Sequence, residues 1–329
     1  MTSNKDKKRI VVIGGGTGTY QVLVGLKKFP NLELAAVVAM SDSGGSTGRL
    51  REEFGMFPPG DLRRALLALS SLPIREKTLG RLFDFRFKNG KELQGHSLGN
   101  IFLAALTQIT GSPEKAIKEA ERILAVSGRV LPVTLTNTDL AATLVDGTKI
   151  FGETNIDIRE IKPDIAISEV SLKPKARVYK EAADAITNAD LIILGPGDLY
   201  TSVVPNLLVD GLTDAIKRSK GKVVFVINLM TKYGETNGFT VSKFVSEIKN
   251  YLGTAADRLK YVVVNKNRIP GKTLSWYKKS KAEPVVNDLS GNGVRVIEGN
   301  FLDKPNGHVH FLRHDPNKLA QTLVKLLAK

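Results

Sequence analysis

The residues with chemistry to offer are gathered in a few polar loops. The first is Gly14-Gly15-Gly16-Thr17-Gly18-Thr19, set between an apolar run and an amphipathic segment. Glycines at this spacing let the backbone turn sharply with its N–H groups outward. A helix starting there adds its positive end, and the two together make a seat for phosphate. Gly14 and Gly16 fill the first two positions of a dinucleotide fingerprint, and Thr19 stands where the third Gly or Ala belongs. The plain alternative is a tight turn of any α/β protein. The second loop is Ser41-Asp42-Ser43-Gly44-Gly45-Ser46-Thr47-Gly48-Arg49. Asp42 lies where such folds place a ribose-binding acid, roughly 20 residues after the turn. It could equally hold Mg²⁺, or simply cap the next turn.

Three further groups follow. In Pro58-Pro59-Gly60-Asp61-Leu62-Arg63-Arg64 the Pro-Pro-Gly breaks the chain and Asp61 reads as a helix N-cap. Arg49, Arg63 and Arg64 are suited to clamping a diphosphate. Gly95-His96-Ser97-Leu98-Gly99-Asn100 precedes an apolar helix, and His96 there could donate to a phosphate, act as an acid, or be structural. Gly195-Pro196-Gly197-Asp198-Leu199-Tyr200-Thr201-Ser202 is another glycine loop with hydroxyls. Asn206, the stretch Asn228 to Thr236, and Arg313 before the last helix complete the set.

The elements that must position these loops are short apolar runs at 10–13, 34–40, 191–194, 223–227 and 261–264, alternating with helical patterns. Uninterrupted apolar runs between helices are the mark of buried parallel strands. In a doubly wound sheet the carboxyl ends of neighbouring strands face one crevice, so loops that follow successive strands converge there. The expected fold is α/β, a Rossmann-like doubly wound, mostly parallel sheet with helices on both faces. Short strands at 130–136, 141–145 and 165–172 predict a β-rich insertion over about 130–172 in one domain running from 9 to 329, behind a flexible basic N-terminus, 1–8. Ser112, with Pro113 and Glu114 after it, and Asp315, with Pro316, read as helix starts.

Composition narrows the classes. With no cysteine among 329 residues there are no disulfides, thiolate metal sites or cysteine nucleophiles. The polar first nine residues and the lack of a membrane-length apolar run predict a cytoplasmic protein without membrane insertion. A net charge of +15 favours anionic partners such as nucleotides, nucleic acid or an anionic surface. Residues 258–281 hold eight basic side chains and no acidic ones, with Trp276 and Tyr277 among them. That run is either an RNA-binding patch or a solvated loop, and the solvated loop is preferred, which sets nucleic acid below a nucleotide as partner. Self-association is left open.

Taken together and in order, these loops resemble the YvcK-like gluconeogenesis factors of the CofD superfamily, from about residue 9 to the last helix. The resemblance implies a Rossmann-like CofD fold that binds UDP-N-acetylglucosamine. It implies support of cell shape and peptidoglycan synthesis during growth on gluconeogenic carbon, with no reaction firmly attached. The sister branch, phospholactate transferase, moves a phospholactyl group from a guanosine diphosphate donor to a deazaflavin with Mg²⁺. By the same resemblance Gly14, Gly15, Gly16, Thr17 and Gly18 hold the nucleotide end with Asp42, Ser43, Gly44, Gly45, Ser46 and Gly48. Gly195, Pro196, Gly197, Asp198, Tyr200, Thr201, Asn206 and Asn228 line the same crevice, and Arg313 reaches a phosphate. The chain departs from the pattern at three places: Asp42-Ser43 replaces an acidic pair, Asp198 a serine, and Ser242-Lys243 an Asp-His. One carboxylate weakens a metal site, and an acid at 198 would repel phosphate unless it meets a sugar hydroxyl or a cation. Three readings follow: a nucleotide-sugar-binding protein, a phosphotransferase with Asp42 and Mg²⁺, and a nucleic-acid binder.

Overall fold

The apolar runs become strands, and further strands lie between and after them. In the computed structural model, which describes residues 7–71, 76–291, 293–303 and 311–328, they are β1 (Lys8–Gly14), β2 (Leu32–Val38), β3 (Arg129–Pro132), β4 (Asp139–Leu144), β5 (Lys149–Phe151), β6 (Ile167–Lys173), β7 (Leu191–Leu194), β8 (Lys222–Val226), β9 (Leu259–Asn265) and β10 (Arg295–Gly299). Seven of them form one sheet in the order β10-β9-β8-β7-β1-β2-β3, and each pairing in it is parallel. Ile10, Val12 and Ile13 of β1 and all four residues of β7 are fully buried. Each such side chain contributes about 1.5–3 kcal/mol on burial, which is why these runs do not alternate with polar residues.

The sheet order places a switch point between β1 and β7. From β1 the chain winds outward through β2 to β3, and it returns to β7 and winds the other way. Loops leaving β1 and β7 therefore part company, and a crevice opens between them. Register puts both loops at one edge: Gly14 is level with Val38 and Ile13 with Leu194. The glycine turn leads into α1 (Gly16–Leu26), the second loop into α2 (Gly45–Phe54), and Pro58 into α3 (Pro59–Leu69). Against α1 pack α3 and the closing helix Pro316–Lys325, while Lys180–Thr187, Leu212–Arg218 and Val241–Leu252 form a second helical group. Gly25 is required by the contact with the closing helix, since a Cβ there would lie 2.0 Å from the Pro316 carbonyl oxygen. Ser112 and Asp315 cap their helices, Asp315 accepting from the Asn317 and Lys318 amides.

Two expected boundaries shift. The run at 130–136 supplies β3, the edge strand of the seven-stranded sheet, so the β-rich insertion begins at Asp139 and consists of β4, β5 and β6 in the antiparallel order β5-β4-β6. A short apolar run does not say which sheet it joins; here β3 found the open edge of β2. Of the N-terminal stretch expected to be flexible, residues 1–6 lie outside the described residues, and Lys8 already pairs with Leu32. The basic run 258–281 is also divided. Arg258 and Lys260 sit at the start of β9 and Lys266 follows its end, about 20 Å away at ~3.3 Å per residue. Arg258 moreover donates to the Gly221 carbonyl. Among the described residues no helix is long and apolar enough to cross a membrane.

Candidate functional site

Two pockets of opposite character meet at the crevice. One, of about 470 Å³, is polar and is walled by the glycine turn, the second loop, Asp61, Arg64, Glu153 and Ser202. The other, of about 630 Å³, has Tyr233, Trp276, Tyr277 and Phe311 in its wall beside Leu229, Met230 and Leu312, with Asn228, Lys232 and Arg313 among its polar lining. Thr17, Gly18, Asp157, Ile158, Gly197 and Asp198 belong to both and form the neck. The first turn of α1, at Thr17 and Gly18, therefore lies where the pockets join.

The glycine turn is built for close approach. Gly16 has φ +67°, in the left-handed region, and a Cβ on Gly18 would lie 2.2 Å from the Pro196 carbonyl oxygen. One amide of the turn is already taken: Gly16 N–H donates to Asp61 Oδ1 at 2.8 Å. This corrects the reading of Asp61 as cap of its own helix. The cap position of α3 is Pro58, and Asp61 stands in the first turn with its carboxylate crossing to the positive end of α1. The local signals for a cap were present, but a free helix terminus on a neighbouring element was nearer.

Carboxylates dominate the polar pocket. Asp42 Oδ1 accepts the Gly44 amide at 2.9 Å, so Asp42 does cap its own turn while facing the pocket. Glu153, from the short turn Glu153–Asp157 that follows β5, accepts the Ser43 amide, and its carboxyl is pushed up to about 8 by burial and by Asp42, Asp157 and Asp61. Burial and then Asp42 raise Asp61 to about 6, against the pull of Arg64 and the Gly16 amide. Such hard oxygen donors are the kind Mg²⁺ takes. The inserted sheet thus delivers a second acid beside Asp42, which the loop sequence itself lacks.

Of the expected arginines, Arg64 reaches the polar pocket, its Nη1 3.8 Å from Asp61 and 3.7 Å from where a Gly16 Cβ would stand. Arg63 touches the pocket but is buried, with its guanidinium paired to Asp84 and bonded to the Phe83 carbonyl. Arg49 turns away to the Gln94 carbonyl. His96 is buried behind the site with Nδ1 3.1 Å from Ser46 Oγ, and burial holds its ring below the usual range. Asn100 borders the polar pocket and donates through Nδ2–H to the same hydroxyl, while its Oδ1 is buried with no protein partner. Neither Arg49 nor His96 lines either pocket. Gly48 packs on the Ser43 backbone, and Gly14 on Thr19 and Gly195.

In the later loop Tyr200 is a core residue whose hydroxyl donates to Glu247. Asn206 is fully buried and pins the loop through the Ser202 carbonyl. Thr201 borders the polar pocket and bonds Asp157 and Glu235, while Pro196 and Asn228 border the aromatic one, Asn228 Oδ1 accepting the Gly197 amide at 3.4 Å. Asp198 is 2.8 Å from Lys232 Nζ, so the acid that replaces a serine has a cation beside it. Ser242 and Lys243 are occupied elsewhere, with Asp288 and the Phe239 ring. Absent from the expected set were Glu153, Asp157 and the wall of Trp276, Tyr277 and Phe311, while Lys232 and Glu235 lay inside the expected 228–236 stretch without being singled out. Trp276 and Phe311 meet edge to face at 5.0 Å, and Tyr277 Oη accepts the Leu312 amide, tying the helix Gly271–Lys279 to the 311–314 stretch. The only sequence hint of this wall was an aromatic pair inside a basic run.

Comparison with known proteins places this geometry. The family model described as 2-phospho-L-lactate transferase CofD matches residues 10–302. The chain is 41% identical to the gluconeogenesis factor of Halalkalibacterium halodurans over 323 residues, 97% of this chain and 96% of that one. It is 38% identical to the gluconeogenesis factor of Bacillus subtilis, spanning 98% of each. The crystal structure of protein BH3568 from Bacillus halodurans superposes with a TM-score of 0.88 at 40% identity, covering 97% of this chain and 99% of that chain. With its sheet order, its crevice loops and these full-length relatives in agreement, the chain belongs to the CofD family, on the branch whose members are named gluconeogenesis factors.

Proposed function

We propose that this chain binds a nucleoside diphosphate sugar across the two pockets, UDP-N-acetylglucosamine by family resemblance. In this reading it acts in the cytoplasm to support cell shape and wall synthesis during growth on gluconeogenic carbon. One observation carries it: an aromatic pocket and a polar pocket joined at a helix N-terminus. A flat base stacks among Trp276, Tyr277 and Phe311. The diphosphate lies at the neck against the α1 terminus, within reach of Arg313 or Arg64. The sugar enters the polar pocket, where the carboxylates of Asp42 and Glu153 accept from its hydroxyls. Calorimetry with UDP-N-acetylglucosamine tests the reading. Saturable binding is expected, and no heat at millimolar ligand with a folded protein removes it. A deletion strain that keeps its shape on gluconeogenic carbon would remove the cellular role.

A second reading, phosphoryl-group transfer from a nucleotide diphosphate donor, draws on Asp42, Asp61 and Glu153 together and on the transferase description of the family model. Those three would hold Mg²⁺, which supplies the charge neutralisation that phosphoryl transfer needs. Arg64 would orient the diphosphate, and the neck would align it. Time-dependent release of nucleoside monophosphate, lost in Asp42→Asn, is its signature; none across a panel of acceptors counts against it. The nucleic-acid reading is left with a smaller patch, since Arg258 and Lys260 lie at the far end of β9 from Lys266 and the basic residues beyond it.

A further inference from the structure

Where the pockets meet, three segments distant in the chain each bring an acid. Asp157 comes from the turn after β5, Asp198 from the loop after β7, and Glu235 from the loop after β8. One oxygen of each lies within 4.8 Å of the others, a gathering that suits a divalent ion. Lys232 Nζ stands among them, bonded to Asp157, 2.8 Å from Asp198 Oδ2 and 3.1 Å from Glu235 Oε1. The ammonium donates to Asp157 and Asp198 and pairs with Glu235. Lys232 borders the aromatic pocket with its head turned to these acids, and what it contributes there is charge.

We propose that Lys232 is a tethered counter-cation. It fills the seat that a divalent ion would take between Asp157, Asp198 and Glu235, and it lets an anionic ligand cross the neck without a metal at that cluster. This rests on the reading that a diphosphate lies there. The burial of Glu235 explains why some cation is needed: its side chain is fully shielded, and a buried carboxylate without a partner is strongly destabilising. Its carboxylate is otherwise committed to the Tyr200 amide and the Thr201 hydroxyl. Arg159 lies within electrostatic reach of Glu235, but its bonds run to the Pro163 and Ile165 carbonyls, leaving Lys232 to bridge the acids. A cation fixed to the chain is present at every metal concentration. It also ties the inserted sheet to the two loops that make the neck, 75 residues apart for Asp157 and 34 for Asp198.

Mn²⁺ titration followed by electron paramagnetic resonance decides the matter, with wild type, Lys232→Met and Asp198→Asn each verified as folded. Lys232→Met should take up one more Mn²⁺ per chain than wild type, because it leaves the seat acidic and vacant. Asp198→Asn should leave the wild-type count unchanged. Equal counts in wild type and Lys232→Met overturn the proposal, as does a lower count in Asp198→Asn. Should Lys232→Met not fold, Lys232→Gln takes its place, and the Asp198→Asn count stands by itself. The Mn²⁺ count involves no nucleotide. Failure of UDP-N-acetylglucosamine to bind would remove the proposed function and leave this result to be judged separately.

Discussion

Replacing Asp61 with asparagine isolates the electrostatic tension in the polar pocket. Its carboxyl accepts the Gly16 amide, yet burial and Asp42 push it up to about 6 from an ordinary 3.8. A rise of roughly 2 units corresponds to about 3 kcal/mol against the ionised form. The side chain is 12% exposed, so solvent screens little of this. The sign follows from proton binding. The unfolded chain loses this proton near pH 4 and the folded chain near pH 6. Folding thus becomes less favourable between those values and stays so above them. Asparagine keeps an oxygen for the Gly16 amide and carries no charge. Urea unfolding should therefore find Asp61→Asn level with wild type at pH 4 and more stable by about 2–3 kcal/mol at pH 7.5. Equal stability at both pH values would refute the electrostatic account, and an equal loss at both would mean that the hydrogen bond outweighs the charge. A stabilising substitution at the mouth of a pocket is the pattern expected where a residue is kept for function.

Glu153, raised to about 8, ionises across the neutral range. Affinity for an anionic ligand in metal-free buffer should fall as pH rises through that value, and calorimetry on Glu153→Gln should show the trend flattened. Trp276→Ala should weaken nucleotide binding by about 1–3 kcal/mol, the range for loss of a base-stacking aromatic; unchanged affinity would remove the aromatic wall as the base seat. Arg313→Ala should cost about 1.5–3 kcal/mol of binding if it bonds a phosphate, and no change would take it out of the site. Gly18→Ala places a methyl 2.2 Å from the Pro196 oxygen and should lower stability by about 1–3 kcal/mol in thermal unfolding. An unshifted midpoint would show that the neck gives way freely.

Much of the fold was legible because its signals are local. The runs at 10–13 and 191–194 read as strands buried on both faces, and glycine loops after successive strands gather at one edge once the sheet is parallel. Ser112 and Asp315 behaved as caps because each found its donors two or three residues ahead. Asp61 carried similar marks and went elsewhere, since the start of α1 offered it an unpaired amide. Arg63 and Arg49 had the right charge and proximity for a clamp, but Asp84 and the Gln94 carbonyl were closer partners. The inserted sheet was visible as strands, whereas the acids on its connecting turn, Glu153 and Asp157, had no periodicity to mark them as crevice residues.

From sequence alone came the parallel sheet, the edge at which the loops assemble and the family resemblance, because apolar periodicity and glycine spacing act over a few residues. Tertiary structure alone decided which charges meet. Asp61 joins Gly16 across 45 positions and Lys232 joins Asp157 across 75. The pairing of buried charges depends on which desolvated partner stands nearest after the layers have packed, and no short-range pattern in the chain encodes that distance.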